Sequence, residues 1–333
     1  MSQLLSTIPF SVLDLVPALE GKEHRQTLEN TLAFAQHIEA LGYHRLWISE
    51  HHNTSGLLSS ATVVIMGYLA QGTQSIRIGS GGIMLPNHTP LVVAEQIGTL
   101  ATLYPNRIDL GLGRAPGTDQ LTAMALRRNR RESVEDFPND IQELQFYLSG
   151  RSQSSLVRAI PGECTYVPIY LLGSSTFSAQ LAAMLGLPYA FASHFAPTHL
   201  FDALKIYKED FKPSEQIEKP YTLAAVNVIL ADTEDQAQYI ASSGRIFRQD
   251  ILRNTRRPLQ RPVANYSGIG TPMVQEEAKK MSKYNFVGTP DKVKAQLEKF
   301  VQQTKVDEII ISSLIYDLHA KKRSFELLAS LKS

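Results

Sequence analysis

Residues 107–114 read RIDLGLGR, and residues 75–85 ahead of them read SIRIGSGGIML. Both are short, apolar runs without polar alternation, so each reads as a strand buried on both faces. Strands of that kind belong to parallel sheets, whose crossovers lay helices against either face. The same unit recurs in both directions. PFSVLDLVP (9–17) and RLWISEHH (45–52) lie before it; PIYLLGSS (168–175), PYAFASHF (188–195), YTLAAVNVILA (221–231) and DEIIISSLI (307–315) follow. Amphipathic segments with helical period separate them at 26–41, 60–71, from Thr89-Pro90 onward, and at 134–148, 178–185, 198–211, 233–242, 289–304 and 320–331. Eight strand–helix alternations predict an α/β fold, a (β/α)8 TIM barrel forming one domain over 1–333, with a doubly wound open sheet as the alternative.

Two stretches break the rhythm. Residues 150–167, after the fourth strand, are rich in Gly, Ser and Pro and read as a small hairpin. Residues 244–286, after the seventh, hold RRPLQRP, Gly268, Gly270 and the run MVQEEAKKMSKY, which reads as a short helix. A mobile loop there falls on the face where barrels carry their sites, so it reads either as a lid or as a plain surface insert.

Composition excludes several classes. The 333 residues are 43% hydrophobic and carry a formal net charge of +1, which gives no electrostatic reason to expect nucleic acid or an acidic membrane as partner. A single cysteine, Cys164, sits in a loop-like stretch and excludes an internal disulfide framework. The opening MSQLLSTIPFSVLDLVPALEG lacks a basic start and carries Asp14 in its apolar run. No apolar stretch reaches the ~18 residues of a membrane span. The expectation is a soluble, cytoplasmic protein.

Polar residues that end barrel strands sit at the active face. The second strand ends in Glu50-His51-His52, the third holds Gly79-Ser80-Gly81-Gly82, and the fourth ends at Arg114 in a glycine-rich turn. The fifth ends in Gly173-Ser174-Ser175-Thr176-Phe177-Ser178 and opens directly into a helix; the sixth ends in Ser193-His194. Free N–H groups at a helix start, serine hydroxyls and a guanidinium make an anion site. Interior glycines mark a bulge or the close approach of a flat ligand. Together they outline a site for a phosphorylated planar molecule such as flavin mononucleotide (FMN).

Plainer readings stand beside these. Arg114 could serve only to pair with Asp109 or Asp119. His51 and His52, adjacent on a strand, point to opposite faces and do not readily share a metal; a two-histidine, one-carboxylate iron site from Glu50, His88 or His194 is the minority reading. His24, His37, His44, His199 and His319 read as ordinary hydrogen-bonded histidines, and Trp47 as core. The basic run from Arg127 to Arg131 reads as a solvated face. GLGRAPG lacks the G-x-G-x-x-G order of a dinucleotide fingerprint.

The segments WISEHH, IRIGSGGIMLPNHTPLVVAEQ, RIDLGLGRAPGTDQLTAMALRR, YLLGSSTFSAQLAA and YAFASHFAP, in that order, resemble the bacterial-luciferase-like family of flavin-dependent monooxygenases, in particular its single-chain, luciferase-alpha-like members. The resemblance implies a (β/α)8 barrel using reduced FMN and O2 to oxidise a small organic substrate, an aldehyde or other carbonyl compound. It further implies a separate flavin reductase, a homodimer and no metal. By motif, His51 is the catalytic histidine and Glu50 a flavin-contacting glutamate. Gly81 and Gly82 form the cis-linked pair behind the ring. Arg114, Ser174, Ser175 and Ser178 hold the phosphate, although luciferase has an acidic residue where Ser174 stands. The long segment 244–286 falls at luciferase's mobile loop. A deazaflavin in place of FMN, a non-catalytic flavin-binding protein and a metal-dependent barrel hydrolase are the alternatives.

Overall fold

The computed structural model describes residues 4–115, 117–126, 136–264, 266 and 270–332. Pro116, the basic run from Arg127 to Arg131, the expected helix start at Val134 and Glu135, and Gly268 lie outside the described residues. A short helix α1 (Leu4–Thr7) leads into β1 (Phe10–Asp14), α2 (His24–Ala40), β2 (Arg45–Ile48) and α3 (Thr62–Gln71). Then come β3 (Arg77–Ser80), β4 (Ile83–Met84), α4 (Pro90–Leu103), β5 (Ile108–Gly113), α5 (Gln120–Leu126) and α6 (Phe137–Leu148). The second half runs β6 (Ile169–Gly173), α7 (Thr176–Leu185), β7 (Tyr189–Phe191), α8 (Leu200–Asp210), β8 (Thr222–Leu230) and α9 (Glu234–Leu252). It ends with α10 (Pro272–Met281), β9 (Asn285–Gly288), α11 (Pro290–Thr304), β10 (Glu308–Ser312) and α12 (Leu318–Ser330).

β1, β2, β3, β5, β6, β7, β8 and β10 pair in parallel in that order, and β10 returns to β1, closing an eight-stranded barrel. The open-sheet alternative is thereby excluded. β8 is long enough to serve two neighbours. Leu223–Asn227 pair with β10, and from Asn227 onward the strand pairs with β9. The expected third strand is split at Gly81-Gly82: β3 pairs with the start of β5, and β4 with its end. Inside the barrel Leu13, Trp47, Tyr170, Ala190, Leu223, Ala225 and Ile310 form one apolar cluster. Outside it a larger cluster seals the helices to the strands.

Three expectations are corrected. Residues 150–167 form no hairpin; they wind into a 3-10 turn (Gly150–Ser154) and then pack Gly162 onto Gly98 of α4. The helix expected to stop at Ser242 runs on to Leu252. Glycine is a poor helix-interior residue, yet Gly244 lies inside α9. Here its missing side chain admits Leu314, whose Cβ lies 3.2 Å from where a Cβ would sit. Ile240, Ala241, Gly244, Phe247 and Ile251 keep the helical period throughout. The segment 244–286 is therefore not one loop: it includes the end of α9, the expected short helix as α10, and the unexpected strand β9. No helix among the described residues is long and apolar enough to cross a membrane.

Candidate active site

The strand ends named from the sequence converge. A cavity of about 590 Å³ opens at the C-terminal ends of the strands, within the range of small-ligand sites. His51, His52, Gly81, Gly82, Arg114, Ser174, Ser175, Ser178 and His194 all line it; Glu50 does not. Its floor is the apolar interior of the barrel, with Leu13, Trp47, Leu172, Ala190, Ala225 and Ile310.

One wall is an anion cradle. Arg114, just past β5, lays its guanidinium over the Phe177 ring, with Cζ 4.0 Å from the centroid. Among the described residues it takes no carboxylate partner. Asp109 is occupied by Arg45, Arg77 and Trp47, and Asp119 by Asn53, Thr122 and Arg256. The structural reading of Arg114 is thereby set aside. Phe177 belongs to the first turn of α7, so the stacking holds the charge beside that helix's N-terminus. Ser175 is the N-cap residue, yet its side chain makes no capping bond. The first-turn N–H groups, the positive end of the helix dipole and the Ser175 hydroxyl thus remain available to an anion. Ser178 is spent differently: it is buried and donates to the Ser175 carbonyl, which shapes the turn.

A second wall is flat. The Gly81-Gly82 peptide is cis, as the resemblance implies. A Cβ on Gly81 would lie 2.7 Å from Leu13 Cδ1, and one on Gly82 2.8 Å from the Gly111 carbonyl oxygen. Side chains are excluded at both, which leaves bare backbone towards the cavity.

The histidines divide by role. Glu50 is 1% exposed and accepts from His52 Nε2 at 2.8 Å, His88 Nε2 at 2.9 Å and the Met84 N–H at 3.2 Å. Burial alone would raise its carboxyl, but the bonds from His52 and His88 outweigh that and hold it at about 2. Its placement behind the wall makes it an anchor for His52 and for the chain at Met84. This trio is also the described group whose ligand-type atoms lie within 4.8 Å of one another; the iron reading had named Glu50 and His88 but took His194 in place of His52. Hydrogen bonds account for the trio's geometry, both rings meeting the same carboxylate oxygen.

His51 turns the other way and bonds through Nδ1 to Ser49 Oγ at 3.2 Å. Ser49 is in turn 3.1 Å from Ser59. Burial lowers the His51 imidazole below its ordinary value, Glu50 opposes this, and His52 adds to it, so the ring is neutral at pH 7. Its Nε2 edge is left free of any bond to Ser49.

Three residues on this face escaped the sequence reading. Asn227, a lone amide in the apolar run YTLAAVNVILA, donates to the His194 carbonyl at 2.6 Å; its isolation in that run was a usable signal. Phe177 stands within the run that ends the fifth strand, but its place under Arg114 has no signal in the sequence. Arg248 lines the cavity from α9, in the part of that helix taken for loop.

A closed parallel barrel with a cavity at the C-terminal ends of its strands is the architecture of the barrel enzymes. The chain belongs to the luciferase-like monooxygenase family, whose pattern it matches over residues 8–308. It is 46% identical over 326 residues to the luciferase-like monooxygenase of Escherichia coli strain K12, covering 98% of this chain and 97% of that one. The structure superposes on crystalline apo-MsnO8 with TM-score 0.90 at 32% identity, covering 97% and 98% of the two chains. Its fold is also that of the oxygenating constituent of 3,6-diketocamphane monooxygenase from Pseudomonas putida, solved in complex with FMN. There the TM-score is 0.72 at 17% identity, over 97% of each chain. Membership places the chain among the oxidoreductases.

Proposed function

We propose that the chain is an FMN-dependent monooxygenase that takes reduced FMN and O2 and oxidises a small organic substrate, an aldehyde or other carbonyl compound. The observation that carries this reading is the meeting of Arg114 with the uncapped start of α7. A free guanidinium, open N–H groups and serine hydroxyls suit a phosphomonoester. The bare glycine wall suits the flat ring to which that phosphate is attached. An FMN-binding relative in fold supports the same choice.

Bound reduced flavin supplies the activation of O2. The chain supplies the rest. Arg114, Ser174, Ser175 and the first turn of α7 hold the phosphate, with Ser178 bracing the turn. Gly81 and Gly82 let the ring lie against the backbone. The apolar barrel floor keeps water out. His51 enters neutral, oriented through Nδ1 by Ser49, and holds or accepts one proton at Nε2. Glu50 fixes His52 and the Met84 segment. The same reading has a separate reductase deliver the flavin and two copies of the chain associate in the cytoplasm.

The chain has one tryptophan, Trp47, and it lines the cavity, so its emission reports occupancy. Titration with FMN is expected to quench it saturably at one equivalent. Absence of quenching, or much tighter binding of a deazaflavin, overturns the cofactor assignment. Supplying reduced FMN, O2 and a series of aldehydes, then assaying for oxidised product, separates an enzyme from a flavin carrier. A chain that binds FMN and yields no product would be the carrier.

A further inference from the structure

Arg248 is 7% exposed and lines the active-site cavity. Among the described residues its guanidinium makes no hydrogen bond and no ion pair. None of its nitrogens is a sealed orphan, so the head keeps access to the cavity. The neighbours that act on it electrostatically bring no carboxylate. They are Arg245, which is itself cationic, and the Tyr266 phenol. Burial and Arg245 lower its guanidinium to about 10, and it remains charged at neutral pH. The nearby basic chains do not share this state: Arg257 pairs with Asp250 at 2.6 Å and Arg256 with Asp119 at 3.2 Å.

The neighbouring group facing the cavity is also unsatisfied. His194 Nδ1 is sealed away without a partner, so the ring nitrogen it can offer the cavity is Nε2. Burial first, then the Arg248 charge, push its imidazole down to about 3, so it is a neutral ring able to donate one N–H. Phe247, Leu314, Ala225 and Leu172 give the same cavity apolar lining, beside the polar Asn227 and Ser312. A buried cation without a counter-charge is costly. A chain keeps one where a ligand completes it.

Resting on the monooxygenase reading above, we propose that the substrate carries a carboxylate, bound by Arg248 and by the His194 N–H at Nε2, with an apolar remainder lying over the barrel floor. The anion site at Arg114 and α7 belongs to the flavin phosphate. The site at Arg248 lies across the mouth, on the helix that follows β8, and selects organic acids over their neutral analogues.

The test is calorimetric titration at pH 7.5 of the FMN-saturated protein with two probes of equal length, octanoate and octanamide. Octanoate is expected to bind at least tenfold more tightly. Arg248→Met should abolish that difference while leaving FMN affinity within twofold, and Arg114→Met should leave the tenfold preference in place. Met matches the apolar stem of arginine, so the variant folds, and removal of an unpaired buried charge should raise Tm by about 2 °C or more. Equal binding of the two probes to the parent protein overturns the proposal, and so does a preference that survives in Arg248→Met. A loss of FMN affinity in Arg248→Met equal to that in Arg114→Met would place the flavin phosphate at Arg248 and overturn it too. If FMN fails to bind at all, the flavin reading falls by that result alone, while the octanoate preference is still measured on the unloaded protein.

Discussion

The two ends of the barrel hold buried arginines in opposite circumstances. At the N-terminal end Arg45, the first residue of β2, donates to Asp109 at 2.7 Å, to Glu308 at 2.9 and 3.1 Å and to the Tyr170 hydroxyl at 2.7 Å. Ser11, Tyr221, Trp47 and Arg77 complete the two carboxylates. Burial would lower the Arg45 guanidinium, but Asp109 and Glu308 more than offset it and hold it far above its ordinary value. At the C-terminal end, among the described residues, Arg114 has only an aromatic face and Arg248 has no hydrogen-bond or ion-pair partner. The first end is finished by the chain itself. The other is left for ligands to finish, and it is there that the chemistry lies.

The sharpest way to break this contrast is at Arg45. Replacement by Met leaves Asp109 and Glu308 buried without their main cation, and breaking such a pair costs about 3–5 kcal/mol. Urea unfolding should show that loss. A change below about 1 kcal/mol would mean the layer is not the closed network its geometry describes. Next in size is Arg114→Ala, whose charge-assisted bonds to a phosphate are worth about 2 kcal/mol, or roughly 30-fold in FMN affinity. Stability should fall by no more than about 1 kcal/mol, because among the described residues Arg114 meets only the Phe177 ring. Equal FMN affinity in variant and parent would remove the phosphate from this wall.

His194 sharpens the same contrast through pH. Its imidazole is held at about 3, whereas the unfolded chain protonates it near ~6.5. Below pH ~6.5 the unfolded state takes up a proton that the folded state refuses, so stability present at neutral pH is lost progressively towards pH 3. Between pH 7 and pH 5 this amounts to about 2 kcal/mol. Glu50, held at about 2, adds its own loss only below its ordinary value near 4.5, and so stays out of that window. His51 shifts in the same direction as His194 and contributes to both proteins alike. His194→Phe should therefore show a pH 7 to pH 5 loss smaller than the parent's by about 2 kcal/mol. Identical losses would mean that the ring protonates freely while folded.

How far the sequence could be read follows the same division. Buried strands betray themselves because both faces are apolar, so the eight barrel strands and the polar residues ending them were visible in order. The anion cradle was legible because Gly173-Ser174-Ser175 runs straight into a helix. What stayed hidden depended on partners distant in the chain. Whether Arg114 met Asp109 was undecidable until Arg45 was seen to occupy that carboxylate. Gly244 opens the segment read as an insertion, and nothing local tells a terminating glycine from one that admits Leu314. That misreading put Arg248 in a loop and concealed it. That His52 and His88 close on Glu50 from behind the wall is likewise a matter of partners the local sequence does not show.

The smallest effect separates two helix starts that look alike in sequence. Thr233 caps α9 by accepting the Gln236 N–H, while Ser175 stands at the same position of α7 and caps nothing. Thr233→Ala should cost about 1 kcal/mol of stability, the usual worth of a cap, with no change in FMN affinity. Ser175→Ala should cost less than about 0.5 kcal/mol, because no folded-state bond is lost, yet weaken FMN about threefold to tenfold through one missing phosphate hydrogen bond. A stability loss at Ser175 equal to that at Thr233, with FMN affinity intact, would show the hydroxyl serving the helix instead of a ligand. In that case Arg114 and the backbone N–H groups would hold the anion without it, and the apparent gap in the capping pattern of α7 would carry no functional meaning.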